Sequence, residues 1–162
     1  MNIRLGHAGA CNTDDMPENQ SGEIQEVDTL LDSTLDSVDT AETAVLKVAE
    51  EVGFEEDDLH AIGMAVRESM VNAVVHGNRY SSRKKVHLRV LKSADHLTIL
   101  IGDEGAGFDL SQLPDPLAEE NLLRQSGRGL LLIQAFVDEF DLRRREPSGT
   151  EVKMVKYLAK AS

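Results

Sequence analysis

The first chemical signal in this chain comes from three side chains at four-residue spacing, Glu68, Asn72 and His76. Residues four apart lie on one face of a helix, so the spacing predicts a carboxylate, an amide and an imidazole in one polar line. The amide oxygen of Asn72 is a suitable ligand for Mg²⁺, which prefers oxygen and is usually shared with substrate phosphates. Glu68 lies one turn earlier, where its carboxylate could activate a hydroxyl for attack on a terminal phosphate. Taken alone, the block is better explained as an exposed helix face with ordinary polar residues.

A glycine-rich segment at the end of an apolar run is the second signal. Asp103 follows the run 97–101, and a carboxylate at a strand end can accept a hydrogen bond from an adenine amino group. Gly105 and Gly107 allow a ligand to approach the backbone closely, and Phe108 can form a wall of a base pocket. An ordinary glycine-rich turn explains this block equally well.

The third signal is the run Ser126, Gly127, Arg128, Gly129 and Leu130, which opens a predicted helix. Backbone N–H groups at a helix start can bind an anion, and the serine and arginine side chains could add donors to a phosphate. The run lacks the Gly-Lys-Ser/Thr of a P-loop and the parallel setting of a dinucleotide fold. An ordinary loop-to-helix transition is the alternative.

Composition limits the fold and the kinds of partner. With 41% hydrophobic and only 4% aromatic residues, the 162-residue chain can form one domain with a mainly aliphatic core. The net charge is −12, and residues 1–60 hold 16 acidic side chains against 2 basic ones. Such a surface repels phosphates, which argues against nucleic acid as a direct partner. The acidic half is either a solvated face with a disordered tail or a docking surface for a basic partner.

The cellular location is predicted from cysteine usage and hydropathy. Cys11 is the single cysteine, and one thiol cannot form an internal disulfide, which favours a reducing compartment. No apolar run approaches the length of a membrane span, and none follows Arg4 as it would in a signal peptide. We therefore expect a cytoplasmic protein that makes no membrane contact.

Hydrophobic periodicity predicts the elements that must position these residues. Residues 1–22 show no periodicity and are predicted to be a disordered tail, and a single domain is predicted over 23–160. The predicted elements are a strand at 24–31, a helix capped by Ser37 or Asp39 and ended by Gly53, a helix from Glu55 to a C-cap at Gly77, a basic turn at 79–85, strands at 86–91 and 97–101, a loop at 109–126, a helix at 129–137, and strands at 140–144 and 151–158.

Hairpins with helices on one face are typical of an α+β fold. We expect a two-layer α/β sandwich with a mixed, mostly antiparallel sheet that helices cover on one face. The basic cluster at 143–145 is interpreted as a solvated strand end, with a partner contact as the alternative.

Taken together and in this order, the three blocks resemble the N, G1 and G2 boxes of the GHKL ATP-binding superfamily, which includes gyrase B, Hsp90, sensor histidine kinases and MutL. The runs Glu-Ser-Met-Val-Asn-Ala-Val-Val-His-Gly-Asn and Ser-Gly-Arg-Gly-Leu-Leu-Leu-Ile are similar to one branch, bacterial anti-sigma factors that are serine/threonine protein kinases. The resemblance covers about residues 24–158. It implies a Bergerat-type ATP-binding fold.

The resemblance also implies roles for the site residues. Asn72 would hold Mg²⁺, Glu68 would act as the base on the attacking hydroxyl, and Asp103 would bind adenine. The remaining positions implied to contact ATP are His76, Gly105, Gly107, Phe108, Ser126, Gly127, Arg128, Gly129 and Leu130.

The implied function is ATP-dependent phosphorylation of a serine or threonine on an anti-sigma-factor antagonist, together with sequestration of a sigma factor. Homodimers are usual in that branch. Two alternatives stay open at this point. One is a nucleotide-regulated binding module that sequesters a partner without kinase activity. The other is an interaction domain that has kept the fold but binds no nucleotide.

Overall fold

The computed structural model describes residues 22–105 and 125–158, with residues 125–130 described by their backbone. Strands and helices follow the predicted order along the chain. They are β1 (Ile24–Asp32), α1 (Asp36–Val52), α2 (Glu56–Val71), a π-helical turn (Asn72–Gly77) that continues α2, β2 (Lys85–Lys92), β3 (His96–Gly102), α3 (Gln125–Phe136), β4 (Glu139–Arg144) and β5 (Thr150–Tyr157).

The five described strands form one sheet in the order β1-β2-β3-β5-β4. Every strand pair is antiparallel, with Leu88 opposite Ile101 and Ile99 opposite Met154 in the centre of the sheet. The predicted α+β class is therefore confirmed, and no parallel pair occurs among the described strands. β3 lies in the middle of the sheet, as the apolar run at 97–101 predicted.

The core lies between one face of the sheet and the helices. Val86, Leu88 and Val90 alternate along β2 and are completely buried, as are Val45 of α1 and Ile62 of α2. Each such aliphatic side chain stabilises the folded state by about 1.5–3 kcal/mol relative to exposure. The alternation in β2 and the helical spacing in α1 and α2 thus point to the same core. None of the described helices is long and apolar enough to cross a membrane.

The predicted start of α1 is wrong in detail. The helix begins at Asp36 with Leu35 at its N-cap, and no side chain caps it. Ser37, proposed as a cap, lies in the first turn, where its backbone N–H donates to the carbonyl of Thr34 at 3.1 Å. This tight turn provides a partner that a capping side chain would otherwise supply. Gly53 ends the helix as predicted, with a left-handed φ of 112°.

The predicted C-cap at Gly77 is also wrong. The α-helix ends at Val71, the π-helical turn continues to Gly77, and Asn78 follows as the cap. Gly77 is not among the glycines with positive φ, so backbone conformation does not require glycine there. The helix predicted from Gly129 instead begins at Gln125, so Gly127 and Gly129 lie inside its first turns. Glycine lowers helix propensity but does not prevent a helix, which is why the sequence placed the start too late.

Candidate functional site

The polar line predicted at four-residue spacing spans the end of α2 and the π-helical turn. Glu68 lies in the last turn of α2, and Asn72 and His76 lie in the π-helical turn, all half-buried. The backbone N–H of Asn78 donates to the carbonyl of Ala73 at 2.8 Å, the i→i+5 bond that defines this wider turn. Such turns are rare and are frequently found at functional sites.

Nothing in the described part of the protein occupies the hydrogen-bonding groups of these three side chains. No described side chain or backbone group bonds to the carboxylate of Glu68, the amide of Asn72 or the imidazole of His76. Half-buried polar groups without partners lose hydration without compensation. Within the described structure, the carboxylate, the amide and the imidazole are therefore left for a bound molecule to contact. Because the three side chains are half-buried, they do not fit the explanation as an exposed helix face.

The second block is folded directly against the first. A Cβ on Gly77 would overlap the carboxylate of Asp103, and a Cβ on Gly105 would overlap the carbonyl of Gly77. Both glycines are therefore required by close approach of two chain segments rather than by backbone strain. Asp103, only 7% exposed, lies where the end of β3 meets the end of the π-helical turn.

Asp103 is held in one orientation by the backbone around it. Its Oδ1 accepts hydrogen bonds from the backbone N–H groups of Gly105, at 2.9 Å, and Thr150, at 3.3 Å. Burial raises the pKa of Asp103 above its usual value, against the opposing effects of these two hydrogen bonds and of the Arg145 and Lys84 charges. A buried carboxylate whose charged form is poorly solvated is stabilised by a further donor, and an exocyclic amino group of a base is such a donor.

The helix that begins with the third block packs against the elements that carry the first block. The helix α3, which contains residues 126–130, packs against both α2 and the π-helical turn. Its first N–H groups have no partner within the helix. Gly107 and Phe108 lie outside the described residues, as does most of the loop predicted at 109–126.

Comparison with known families identifies this arrangement. The family model of the histidine kinase-like ATPase domain matches residues 31–156, which include Glu68, Asn72, His76 and Asp103. The chain belongs to the histidine kinase-like ATPase domain family. The resemblance to the GHKL superfamily is thereby confirmed.

Curated relatives in this family are similar in length and moderately similar in sequence. The anti-sigma F factor of Oceanobacillus iheyensis is 32% identical over 107 residues, covering 65% of this chain and 73% of that protein. The serine-protein kinase RsbW of Bacillus subtilis is 32% identical over 117 residues, covering 68% and 72%.

A crystal structure of the RsbU and RsbW domains of a Mycobacterium tuberculosis protein has the same fold. The two align with a TM-score of 0.60 at 18% identity, over 84% of this chain and 33% of that one. The two-layer architecture is therefore shared with a known member of the fold, while the low identity leaves residue roles to be argued from this chain.

The histidine kinase-like domain of this chain contains a structural residue that sequence analysis did not identify. Asn78 is 1% exposed, and its Oδ1 accepts the N–H of Glu104 at 2.8 Å. Its Nδ2 donates to Ser33 Oγ at 2.9 Å and to the carbonyl of Lys85 at 3.1 Å. One side chain thus ties the π-helical turn to the β1–α1 connection, the start of β2 and the residue after Asp103. The sequence signal is only a polar residue directly after His-Gly.

A second set of contacts comes from the turn between β4 and β5. Arg145 Nη1 donates to the carbonyl of Asp103 at 3.0 Å. The Arg145 side chain also packs against Gly102, where an added Cβ would lie 2.9 Å from Nη1. Ser148 Oγ donates to the carbonyl of Glu104 at 3.3 Å. The interpretation of the arginine cluster as a solvated strand end is therefore wrong for Arg145, which donates a hydrogen bond to the backbone of Asp103.

Within the family, ATP and Mg²⁺ fit the residues that this structure assembles. Asp103 offers a buried acceptor to a base, and the close packing at Gly77 and Gly105 holds this carboxylate beside the π-helical turn that carries Asn72. Asn72 offers an amide oxygen of the kind that Mg²⁺ accepts beside phosphate oxygens.

Proposed function

We propose that this protein is an ATP-dependent serine/threonine protein kinase that phosphorylates an anti-sigma-factor antagonist and sequesters a sigma factor. The observation that carries the proposal is the half-buried pair of Glu68 and Asn72, which lie one turn apart and have no hydrogen-bond partner among the described side chains. Gly77, at the end of the same π-helical turn, packs directly against the buried Asp103. Relatives named serine-protein kinase and anti-sigma F factor support the two activities together. The same proposal includes two further points. The protein forms a homodimer, and its direct partners are proteins and not nucleic acids.

In the proposed reaction, Asp103 accepts a hydrogen bond from the adenine amino group and fixes the base. Asn72 would hold Mg²⁺, which supplies charge neutralisation at the β- and γ-phosphates when bound. Glu68 accepts the proton of the serine hydroxyl while the serine oxygen forms a bond to the γ-phosphorus. The bond from the γ-phosphorus to its bridging oxygen breaks, and ADP leaves with phosphoserine formed.

The other site residues complete the nucleotide site in this proposal. His76 lies in the same π-helical turn as Asn72. Gly105 would border the base, and Gly107 and Phe108 are assigned the same role by the motif resemblance. The helix start of α3 contributes N–H groups to the phosphates because its first turn has no internal acceptors for them. Ser126, Gly127 and Arg128 are the residues proposed there. Gly129 and Leu130 follow in the next turn, and they are included on the motif resemblance.

Glu68→Gln tests the catalytic step. It keeps the size of the side chain but removes the proton acceptor, so transfer of phosphate to an antagonist protein should fall by about 100-fold or more. Binding of ATP, followed by thermal shift, should persist. Glu50→Gln on the exposed face of α1 is a matched control and should leave transfer unchanged. Undiminished transfer by Glu68→Gln would remove the base from the proposal.

Asn72→Ala tests the metal-dependent part. A hundredfold excess of ATP over its Kd should stabilise the wild-type protein by about 2.7 kcal/mol. If Asn72 holds Mg²⁺, the variant should lose the Mg²⁺-dependent part of this shift and keep any shift seen with ATP alone. Equal Mg²⁺ dependence in both proteins would contradict the assignment.

A second candidate function is a nucleotide-regulated binding module that sequesters a partner without kinase activity. The acidic first half of the chain favours it, because such a surface complements a basic partner. Pull-down of partners by wild type and by Glu68→Gln, with and without ATP, separates the two. Equal capture by both proteins, with no phosphate transfer by either, would support the binding module.

A further inference from the structure

A basic turn, residues 79–85, connects the site-bearing π-helical turn to β2. It contains Arg79, Arg83, Lys84 and Lys85 and no acidic residue, in a chain whose net charge is −12. The positive charge is therefore local and opposite in sign to the protein as a whole.

The backbone of this turn is in an unfavourable conformation. Arg79 and Tyr80 have φ values of 52° and 61°, and they are the only non-glycine residues with positive φ in the described structure. The left-handed region crowds a Cβ against the backbone, so two consecutive side chains there lower stability. Retained strain of this kind occurs mainly at functional positions.

Hydrogen bonds impose the conformation on the turn. The N–H of Tyr80 donates to the carbonyl of Val74 at 2.9 Å, and that of Ser81 donates to the carbonyl of Asn78 at 3.0 Å. The N–H of Arg83 donates to Ser81 Oγ at 3.2 Å. These hydrogen bonds thus hold the backbone of the turn in one conformation.

These side chains are directed to solvent rather than used within the fold. Arg79, Tyr80 and Arg83 are exposed, with Tyr80 at 53%, and none of them has an ion pair or side-chain hydrogen bond in the described part of the chain. Lys85 differs, since its ammonium contacts Asp32. Tyrosine and arginine are the residue types most enriched among the side chains that dominate protein interfaces.

The turn is also fixed relative to the proposed catalytic residues. It begins two residues after Gly77, and Asn78, the residue directly before it, accepts the N–H of Glu104 beside Asp103 through its Oδ1. A protein that places a serine hydroxyl at the site must contact the surface around it, so this turn is within the expected contact area.

We propose that the basic turn, through Arg79, Tyr80 and Arg83, is the docking surface for an acidic segment of the phospho-acceptor protein. The proposal rests on the proposed kinase function and names the kind of surface its acceptor presents. Charge complementarity steers such a partner to the site, and the fixed backbone of the turn reduces the ordering cost of docking.

Arg79→Gly is the decisive variant because it removes the charge and relieves the left-handed strain together. Kinase activity is measured with small antagonist-type proteins from the source genome, varying acceptor and ATP separately. The acceptor KM should rise about tenfold, with kcat and the KM for ATP unchanged. The melting temperature should be unchanged or higher. Arg83→Ser should act in the same direction, and Lys47→Ser on exposed α1 is the charge-matched control.

Three outcomes separate the possibilities. A raised acceptor KM in Arg79→Gly without loss of thermal stability supports docking. An acceptor KM within twofold of wild type overturns it, and so does a rise confined to the KM for ATP, which would assign Arg79 to the nucleotide phosphates. If wild type phosphorylates no protein of the panel, the kinase proposal fails. Calorimetric titration of the same antagonists into wild type and Arg79→Gly then decides docking by itself. Binding weakened about tenfold in Arg79→Gly supports docking, and equal binding, or no binding to either protein, overturns it.

Discussion

Replacing Asn78 by alanine should destabilise the whole domain, although this residue is not proposed to contact the nucleotide. Asn78 is only 1% exposed, and both Nδ2 hydrogens and one lone pair of Oδ1 are engaged in hydrogen bonds. Alanine would leave the N–H of Glu104 and the carbonyl of Lys85 without this partner, while Ser33 keeps its own bond to the carbonyl of Lys84.

The size of the effect follows from these two groups. A buried polar group that loses its partner costs about 1–3 kcal/mol, so two such groups give about 2–6 kcal/mol. A domain of this kind is usually stable by about 5–15 kcal/mol, so the loss is a large fraction of the total. With a urea slope of about 2 kcal/mol per molar, the unfolding midpoint should fall by roughly 1–3 M.

Urea unfolding followed by circular dichroism measures this change directly. Asn78→Asp keeps the acceptor for Glu104 but places an oxygen opposite the Lys85 carbonyl, so it should be as destabilising as alanine near neutral pH. Ser81→Ala removes one weak bond in the adjacent exposed turn and should cost less than about 0.5 kcal/mol. A loss below about 1 kcal/mol in Asn78→Ala would refute the reasoning.

Three further changes follow from single contacts. Gly105→Ala forces a Cβ against the carbonyl of Gly77 and should abolish the ATP-induced thermal shift; an undiminished shift would contradict the close approach. Asp103→Asn replaces an acceptor by a donor and should weaken ATP binding by about 10- to 100-fold in calorimetry, with unchanged affinity counting against the adenine contact. Burial alone would lower the pKa of His96, but hydrogen bonds to Asp95 and Glu23 outweigh it and raise the pKa. The stability that His96 adds over His96→Gln should therefore be complete below about pH 6.5 and be lost as the pH rises through the raised pKa. Melting curves from about pH 5.5 to 8.5 would show equal differences throughout if the imidazole were not charged.

Secondary structure and fold class were predictable because burial leaves a local period in the sequence. Val86, Leu88 and Val90 alternate with polar residues, and the structure buries all three. Gly53 marked the end of α1 because a left-handed position favours glycine. The order of elements then allowed an α+β sandwich, and the family match over residues 31–156 agrees with it.

The candidate site was predictable only in part. Spacing placed Glu68 and Asn72 on one helix, but it did not predict the π-helical turn that begins at Asn72. The assignments of Gly107 and Phe108, which lie outside the described residues, stay predictions from the motifs. The functional roles of the described site residues also stay predictions until the variants are measured.

The sequence alone thus determined where helices and strands form and which polar residues could bind a nucleotide. Only the tertiary structure decided how these residues are held. Asn78 bonds to Ser33 across 45 residues, and Arg145 bonds to the carbonyl of Asp103 across 42. Local periodicity reports which face of an element is buried, whereas a hydrogen bond between distant segments exists only after the chain has brought them together.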